Sequence, residues 1–240
     1  MKWNTAISTK KDGEVYVRGV ALSTLIKERT FSEVAFLLMG GRLPKENELA
    51  LFNMMLVSAA EHGVEVPSSF APRVAISVGN PMNAALAAGM LATGDHHGGA
   101  IELLAQMLAS KRPAEELVDE MLGQGGRMPG FGHKIYKDID PRAAVLLAKA
   151  EELGLAGAYV EELRAMHETL ESRGKTLPIN IDGALAALMC ELGLDYRLGK
   201  GLFAFARMPG MMAHALEEAQ NEKPYRRFDE GDTEYSGPAI

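Results

Sequence analysis

The chain has 240 residues, which is long for one small domain and short for two full ones, so its length predicts one or two domains. Hydrophobic residues make up 47% and charged residues 24% of the chain, a globular composition that excludes a disordered chain, a collagen-like repeat and a coiled-coil rod. The formal net charge of −7 repels phosphate backbones, so we expect no nucleic-acid partner.

Cysteine content and hydropathy bear on the compartment. Cys190 is the only cysteine, which excludes an intrachain disulfide and a cysteine-based zinc cluster. The first residues lack the apolar core of a signal peptide, and no apolar run reaches the length of ~18 residues that a membrane span needs. We therefore expect a soluble, cytoplasmic protein without a membrane partner.

The predicted elements are helices almost throughout. Residues 14–19 alternate as a β-strand does and end in glycine, which predicts one short hairpin at most. Thr30 and Glu33 form a capping-box pattern that begins a helix ended by Gly40. Apolar residues at helical spacing, bounded by Gly, Pro, Asn or Asp, predict further helices. They lie between Pro44 and Gly63, and at 69–78, 82–92, 99–109, 113–123, 141–153, 157–173, 183–192 and 200–221. The pattern predicts an all-α protein with a polar, aperiodic tail over 220–240.

Three junctions between a loop and a helix carry polar residues among glycines. The first, over residues 94–100, contains His97 followed by two glycines that let a ligand approach the backbone. The N-terminus of the next helix disfavours imidazolium, so a functional His97 would be neutral and able to donate a hydrogen bond to a carbonyl. A structural role, in which His97 only caps the helix, is equally compatible with the pattern.

The second junction, over residues 128–142, contains His133. It holds G-x-G without the third glycine of a dinucleotide-binding fingerprint, since Ile135 stands there and no strand precedes it. Backbone amides and basic side chains could still hold a phosphorylated ligand here. A flexible turn with solvated lysines is slightly favoured from the pattern alone. The basic residues beside the glycines are Arg127, Lys134 and Lys137.

The third junction, over residues 178–183, contains Asp182 and opens the helix predicted from residue 183. An aspartate at such a place is more often an N-cap than a base. Flanking isoleucines would desolvate the carboxylate, which raises its pKa toward the range of a general base. No H-E-x-x-H or G-x-S-x-G pattern is present, so neither a metal site nor a serine hydrolase is predicted.

Taken in this order, the three junctions resemble the citrate synthase superfamily. HHGGAIE is similar to its H-G-G-A segment, PGFGHKIYKDIDPR to its P-G-[FY]-G-H-x-x-Y-x-x-x-D-P-R segment, and NIDGALAAL to its N-[IV]-D segment. The resemblance continues over residues 18–44 and 202–220 and thus covers nearly the whole chain. It implies one all-α unit over 1–240, with a large helical part at about 1–110 and 195–240 and a small, CoA-side part at about 111–194.

The resemblance also implies roles for particular residues. His97 would polarise the thioester carbonyl of a CoA substrate, His133 would serve the oxaloacetate carbonyl or the citrate hydroxyl, and Asp182 would move the α-proton. The residues expected to bind substrate carboxylates are His62, Arg142, Arg207, Arg226 and Arg227. Those expected to bind CoA are Arg127, Met128, Pro129, Gly130, Phe131, Gly132, Lys134 and Lys137. CoA enters as a substrate thioester, and no tightly bound cofactor or metal is expected.

The short chain and the H-G-G-A-I-E segment resemble citryl-CoA lyase and the C-terminal module of ATP-citrate lyase. A lyase of this kind cleaves citryl-CoA to acetyl-CoA and oxaloacetate without hydrolysing the thioester. We expect His133 to accept the C3 hydroxyl proton, His97 to stabilise the enolate and Asp182 to deliver a proton to it. The alternatives are a citrate synthase, more weakly a 2-methylcitrate synthase, or a non-catalytic CoA- or citrate-binding subunit for a separate ligase. A purely structural helical scaffold would not explain two glycine-rich loops that end in histidine.

Assembly is the last expectation from the resemblance, which implies a homodimer or a higher oligomer of dimers. An arginine of the C-terminal arm, Arg226 or Arg227, would reach a neighbouring subunit's active site. The Met-rich helices 82–92 and 202–216 could form the interface, although core packing explains their methionines equally well. These methionines are Met82, Met90, Met208, Met211 and Met212.

Overall fold

The computed structural model describes residues 2–238, and helices make up most of them. Eleven α-helices follow a small sheet in these residues, which confirms the predicted all-α fold class. The helices are α1 Leu22–Glu28, α2 Phe31–Gly40, α3 Glu46–Ala59, α4 Pro67–Ser77, α5 Met82–Leu91, α6 Gly99–Ala109, α7 Ala114–Gly123, α8 Pro141–Glu152, α9 Ala158–Ser172, α10 Ile181–Glu191 and α11 Gly199–Asn221. Every helix predicted from the sequence is present, and none of them is both long and apolar enough to cross a membrane.

The sheet is larger than the predicted hairpin. It has three antiparallel strands in chain order, β1 Ser8–Lys11, β2 Glu14–Val17 and β3 Val20–Ala21. The expected strand is β2. β1 was missed because its sequence, Ser-Thr-Lys-Lys, is exposed along its whole length and carries no apolar alternation. α1 was missed for a similar reason, since Leu25 is its only buried residue.

The chain divides into two compact units, and the large and small parts that the resemblance implies stay a prediction. The first unit contains the residues up to Ala59 together with Gly98–Ala206. Its core surrounds α10, in which the eight consecutive residues Gly183–Cys190 are buried against α6, α8 and α9. A helix that is apolar on every side is the kind that a core encloses. α10 therefore gives its first turn, where Asp182 lies, a rigid support.

The second unit contains Ala60–His97 and the residues from Arg207 on. α4 packs closely on α5, and a Cβ on Gly89 would lie 2.7 Å from Cγ of Pro72. Glu218 is buried and accepts hydrogen bonds from Nε of Arg73 at 2.8 Å and Nε of Arg226 at 2.7 Å. The buried carboxylate of Glu218 is thus paired with two guanidinium groups. This network connects Arg226, at the start of the C-terminal segment, to α4 and α11.

Candidate active site

In the second unit, His97 belongs to a cluster with Ser68 and Arg207. Nε2 of His97 lies 2.8 Å from Oγ of Ser68, and Nη1 of Arg207 donates to the same oxygen at 3.3 Å. Ser68 is 0% exposed and Arg207 is 3% exposed. The residue that precedes α6 as its N-cap is Gly98, with φ +83° and no side-chain hydrogen bond. The alternative that His97 only caps this helix is therefore wrong.

The hydrogen bonds at Ser68 hold the ring of His97 in place. Arginine can only donate, so it uses Oγ of Ser68 as an acceptor. The Ser68 hydroxyl has one donor and two acceptor lone pairs, so it can bond Nε2 of His97 in either direction while it accepts from Arg207. Burial lowers the pKa of His97, and electrostatic interactions with Arg207 and His62 lower it further. The lowered pKa agrees with the neutral ring expected from the sequence.

In the first unit, the glycine loop of His133 and the start of α10 are tied together by Asn180. Its Nδ2 donates to the carbonyl oxygen of Gly132 at 2.7 Å, and its Oδ1 accepts from the backbone N–H of Asp182 at 3.0 Å and of Gly183 at 3.1 Å. Asn180 is therefore the N-cap of α10, and the structural alternative of Asp182 as the cap is wrong. Asp182 instead lies in the first turn of the helix.

Two glycines allow this close approach. Gly130 has φ +79°, and a Cβ on it would lie 2.7 Å from Cα of Gly183. A Cβ on Gly183 would in turn clash with the carbonyl oxygen of Gly130. Only residues without a side chain let the loop and the helix meet here, which explains the glycine at each position.

Backbone hydrogen bonds orient the ring of His133. Its Nδ1 accepts from the N–H groups of Ile135 and Tyr136, both at 3.1 Å. A neutral ring therefore carries its proton on Nε2, which lies 3.3 Å from Nη2 of Arg142. Burial lowers the pKa of His133, and the charge of Arg142 lowers it further. Two donors, Nε2–H and Nη2–H, thus lie side by side and suit an oxygen that bears negative charge.

Arg142 is held by Asp140, which sequence reasoning did not single out. Nε and Nη2 of Arg142 donate to Oδ1 and Oδ2 of Asp140 at 3.0 and 2.8 Å. Asp140 also caps α8, ahead of Pro141. An Asp-Pro pair before a predicted helix is the usual signal of an N-cap followed by proline, and it could have identified Asp140. No comparable signal marks Ser68.

The residues expected to bind CoA fall into two groups. The side chains of Met128 and Phe131 are buried in the core of the first unit, together with Pro129 and Gly130, so only backbone atoms of these residues could meet a ligand. The basic side chains are exposed. They belong to Arg127, Lys134 and Lys137.

The two arginines of the C-terminal segment differ in their surroundings. Arg226 is half-buried and pairs with Glu218, whereas Arg227 is exposed. The expectation that one of them reaches a neighbouring subunit stays a prediction. In the part of the chain that the structure describes, no group of three or more His, Cys, Asp or Glu residues could hold a metal ion.

The fold and the side chains described above define the class of protein. The protein is a helical one whose histidines, arginines and carboxylates suit hydrogen-bond and proton transfer to carboxylated substrates. Residues 45–227 match the family described as "Citrate synthase, C-terminal domain". That match covers well over half of the chain, and the chain belongs to the citrate synthase family.

Individual relatives refine the comparison. The citrate synthase of Haloferax volcanii is 33% identical over 197 residues, which are 79% of this chain and 52% of that protein. This chain thus spans about half the length of that curated relative. The structure of citryl-CoA lyase from Hydrogenobacter thermophilus is 40% identical, with a TM-score of 0.92 over 99% of this chain and 96% of that one. ATP citrate lyase from Methanothrix soehngenii, solved with citrate and coenzyme A, is 26% identical, with a TM-score of 0.83 over 100% of this chain and 42% of that one.

Proposed function

We propose that the protein is a citryl-CoA lyase that cleaves citryl-CoA to acetyl-CoA and oxaloacetate. The observation that carries the proposal is the likeness to the Hydrogenobacter thermophilus citryl-CoA lyase, at 40% identity and a TM-score of 0.92. The clusters around His97 and His133 support it, because each holds a histidine of lowered pKa close to an arginine. Arginine suits a substrate with several carboxylates, since its planar group binds them in pairs.

His133 and Arg142 act in this proposal on the C3 oxygen of citryl-CoA. As the bond between C2 and C3 breaks, this hydroxyl becomes the carbonyl of oxaloacetate and passes through an alkoxide-like state. Nε2–H of His133 and Nη2–H of Arg142 stabilise that charge by donating to it. This replaces the expected role of His133 as acceptor of the hydroxyl proton, because Nδ1 already takes two backbone hydrogens and Nε2 carries the ring proton.

His97 and Asp182 act on the acetyl half of the substrate. The electron pair of the broken bond forms the enolate of acetyl-CoA, and the neutral ring of His97 donates a hydrogen bond to its oxygen. Asp182 enters the step protonated and transfers its proton to the methylene carbon, which becomes a methyl group. The C3 hydroxyl releases its proton to solvent, and the Asp182 carboxylate takes up a proton from solvent before the next turnover. One proton is thus lost and one gained, so the overall cleavage consumes no other reactant.

Carboxylate and CoA binding complete the assignment. We assign the carboxylates to His62, Arg142 and Arg207, with Arg226 or Arg227 supplied by a second subunit. The phosphates of CoA meet the exposed Arg127, Lys134 and Lys137, while the buried residues 128–131 and the half-buried Gly132 shape the loop and offer backbone atoms.

Replacing Asp182 tests the assignment. Asp182→Asn keeps the shape but can no longer carry the proton, so we expect oxaloacetate formation from citryl-CoA to fall at least ~100-fold. CoA binding, measured by calorimetry, should be unchanged. Asp138→Asn, an exposed carboxylate in the loop of His133, is the matched control and should retain full activity. Wild-type turnover by Asp182→Asn would contradict the proposal.

Citrate synthase is the second candidate, because the Haloferax volcanii relative carries that name. The same residues would then join acetyl-CoA to oxaloacetate, and water would hydrolyse the citryl thioester. Catalysis in either direction excludes the third alternative, a non-catalytic CoA- or citrate-binding subunit.

We also propose that two copies form a homodimer in the cytoplasm. Met90 of α5 is 41% exposed and Met212 of α11 is 45% exposed, whereas Met211 is fully buried and belongs to the core. Leu91 is exposed on α5 as well, and such apolar side chains suit an interface. Sedimentation velocity tests this, because Leu91→Glu combined with Met212→Glu should convert dimer to monomer. The lone buried thiol of Cys190 is compatible with a reducing compartment.

A further inference from the structure

The buried carboxylate of Asp140 has no part in the proposed reaction, yet it joins the start of α8 to the start of α10. Asp140 is 0% exposed. Its Oδ1 accepts from the backbone N–H and from Nε of Arg142, both at 3.0 Å. Its Oδ2 accepts from Nη2 of Arg142 at 2.8 Å and from the backbone N–H of Ile181 at 3.0 Å. Ile181 is 41 residues away in the chain and directly precedes Asp182.

The chain itself shows what an ordinary Asp-x-Arg cap looks like. Asp195 also accepts from the backbone N–H and Nε of the arginine two residues later, Arg197, and pairs with its Nη2. Asp195 is exposed, and within the described residues its carboxylate bonds only to Arg197. Asp140 repeats the local arrangement but is fully buried and reaches a second helix. Capping alone therefore does not explain its burial or its bond to Ile181.

We propose that Asp140 is a positioning residue: it holds the guanidinium of Arg142 and the first turn of α10 in one arrangement for the substrate. This inference rests on the proposed function, because it takes oxaloacetate or its citryl precursor as the ligand of Arg142. A guanidinium that is already oriented loses less side-chain freedom when the ligand binds.

Electrostatics keep the positioning carboxylate charged. Burial raises the pKa of Asp140, but hydrogen bonds from the side chain and backbone of Arg142 and from Ile181 outweigh burial and bring it below its usual range. The carboxylate is therefore ionised at neutral pH and retains its hydrogen bonds to Arg142 and Ile181. Since Nη2 of Arg142 is also 3.3 Å from Nε2 of His133, a shift of the guanidinium would separate the two donors assigned to the C3 oxygen.

Two substitutions in the full chain remove the interactions of the Asp140 carboxylate with Arg142 and Ile181. Asp140→Asn keeps the shape, but its NH2 group must face donor groups of Arg142 or Ile181, whichever way the amide is turned. Asp140→Ser keeps a good N-cap oxygen for α8 and loses the pair with the guanidinium, so it serves if the first variant fails to fold. Asp195→Asn is the matched control, because it breaks the same local pair outside the proposed site.

Calorimetry with oxaloacetate and with CoA gives the first readout. We expect both Asp140 variants to weaken oxaloacetate binding by roughly tenfold or more, the factor for one lost charge-assisted hydrogen bond. CoA binding should be unchanged in them, and both affinities should be unchanged in Asp195→Asn. A purely structural role would lower both affinities together. Wild-type oxaloacetate affinity in Asp140→Asn would overturn the inference.

A second readout needs no ligand. The side-chain Nε–H signal of Arg142, assigned by its loss in Arg142→Lys, should exchange slowly with water in the wild type and fast in Asp140→Ser. Equal exchange in the two proteins would overturn the inference. If wild-type protein binds no oxaloacetate while this signal is protected, the proposed function fails and the positioning role of Asp140 stands.

Discussion

Replacing Ser68 by alanine separates the hydrogen bonding of His97 from its packing. Ser68 is 0% exposed, with its Oγ 2.8 Å from Nε2 of His97 and 3.3 Å from Nη1 of Arg207. A bond between neutral groups contributes ~1 kcal/mol and one to a charged group ~1.5–3 kcal/mol. The Arg207 bond is long, so we expect Ser68→Ala to lower the free energy of unfolding by ~2 kcal/mol. If a similar amount of transition-state stabilisation is lost with the placement of His97, kcat falls ~10–100-fold.

The next residue along α4 provides the control. Ser69 is also 0% exposed, but its Oγ has no hydrogen-bond partner within the described residues. An unsatisfied buried hydroxyl is costly, so Ser69→Ala should leave stability unchanged or raise it. It should also leave kcat unchanged, because no bond to the site is lost.

Urea denaturation and steady-state kinetics with citryl-CoA measure both effects on the two variants. The reasoning would be refuted by Ser68→Ala with wild-type kcat, or by Ser69→Ala with an equal loss. Either result would mean that the hydroxyl of Ser68 does not hold His97 in place.

Two further predictions concern the glycine contact and the histidines. Gly183→Ala forces a methyl group into the carbonyl oxygen of Gly130, so urea denaturation should show a loss of ~1–3 kcal/mol, whereas Gly201→Ala, with open space around it, should show none. Because the pKa values of His97 and His133 are lowered, the neutral rings persist below their usual value of ~6.5, and the acidic limb of the kcat profile should lie below that pH. In the same pH window the unfolded chain binds more protons than the folded one, so the free energy of unfolding should fall as pH decreases. An acidic limb of the kcat profile above pH ~6.5 would contradict the lowered pKa values of the two histidines.

The helices and the identity of the three junctions were predictable because they depend on neighbours in the chain. The capping box of Thr30 and Glu33 is present, with Glu33 N–H donating to Oγ1 of Thr30. The first turn of α10 was nearly predicted, but its cap is Asn180 and not Asp182. Both side chains are good N-caps, and the pattern of propensities could not rank two candidates placed two residues apart.

The supporting residues were not predictable, because their partners are distant in sequence. Ser68 meets His97 across 29 residues, and Asp140 meets Ile181 across 41. Such contacts depend on how helices pack, which local periodicity does not encode. The proton position on His133 follows from backbone N–H groups that donate to its Nδ1. The sequence could thus suggest which residues react, but not how they are held.

Product analysis with citryl-CoA tests the proposed lyase activity most directly. Purified protein is given citryl-CoA, and oxaloacetate, acetyl-CoA, citrate and free CoA are quantified over the same time course. The lyase proposal predicts oxaloacetate and acetyl-CoA in equal amounts, with no free CoA above the protein-free control. Citrate with an equal amount of free CoA would mean that water reaches the thioester, and would contradict the lyase in favour of a synthase.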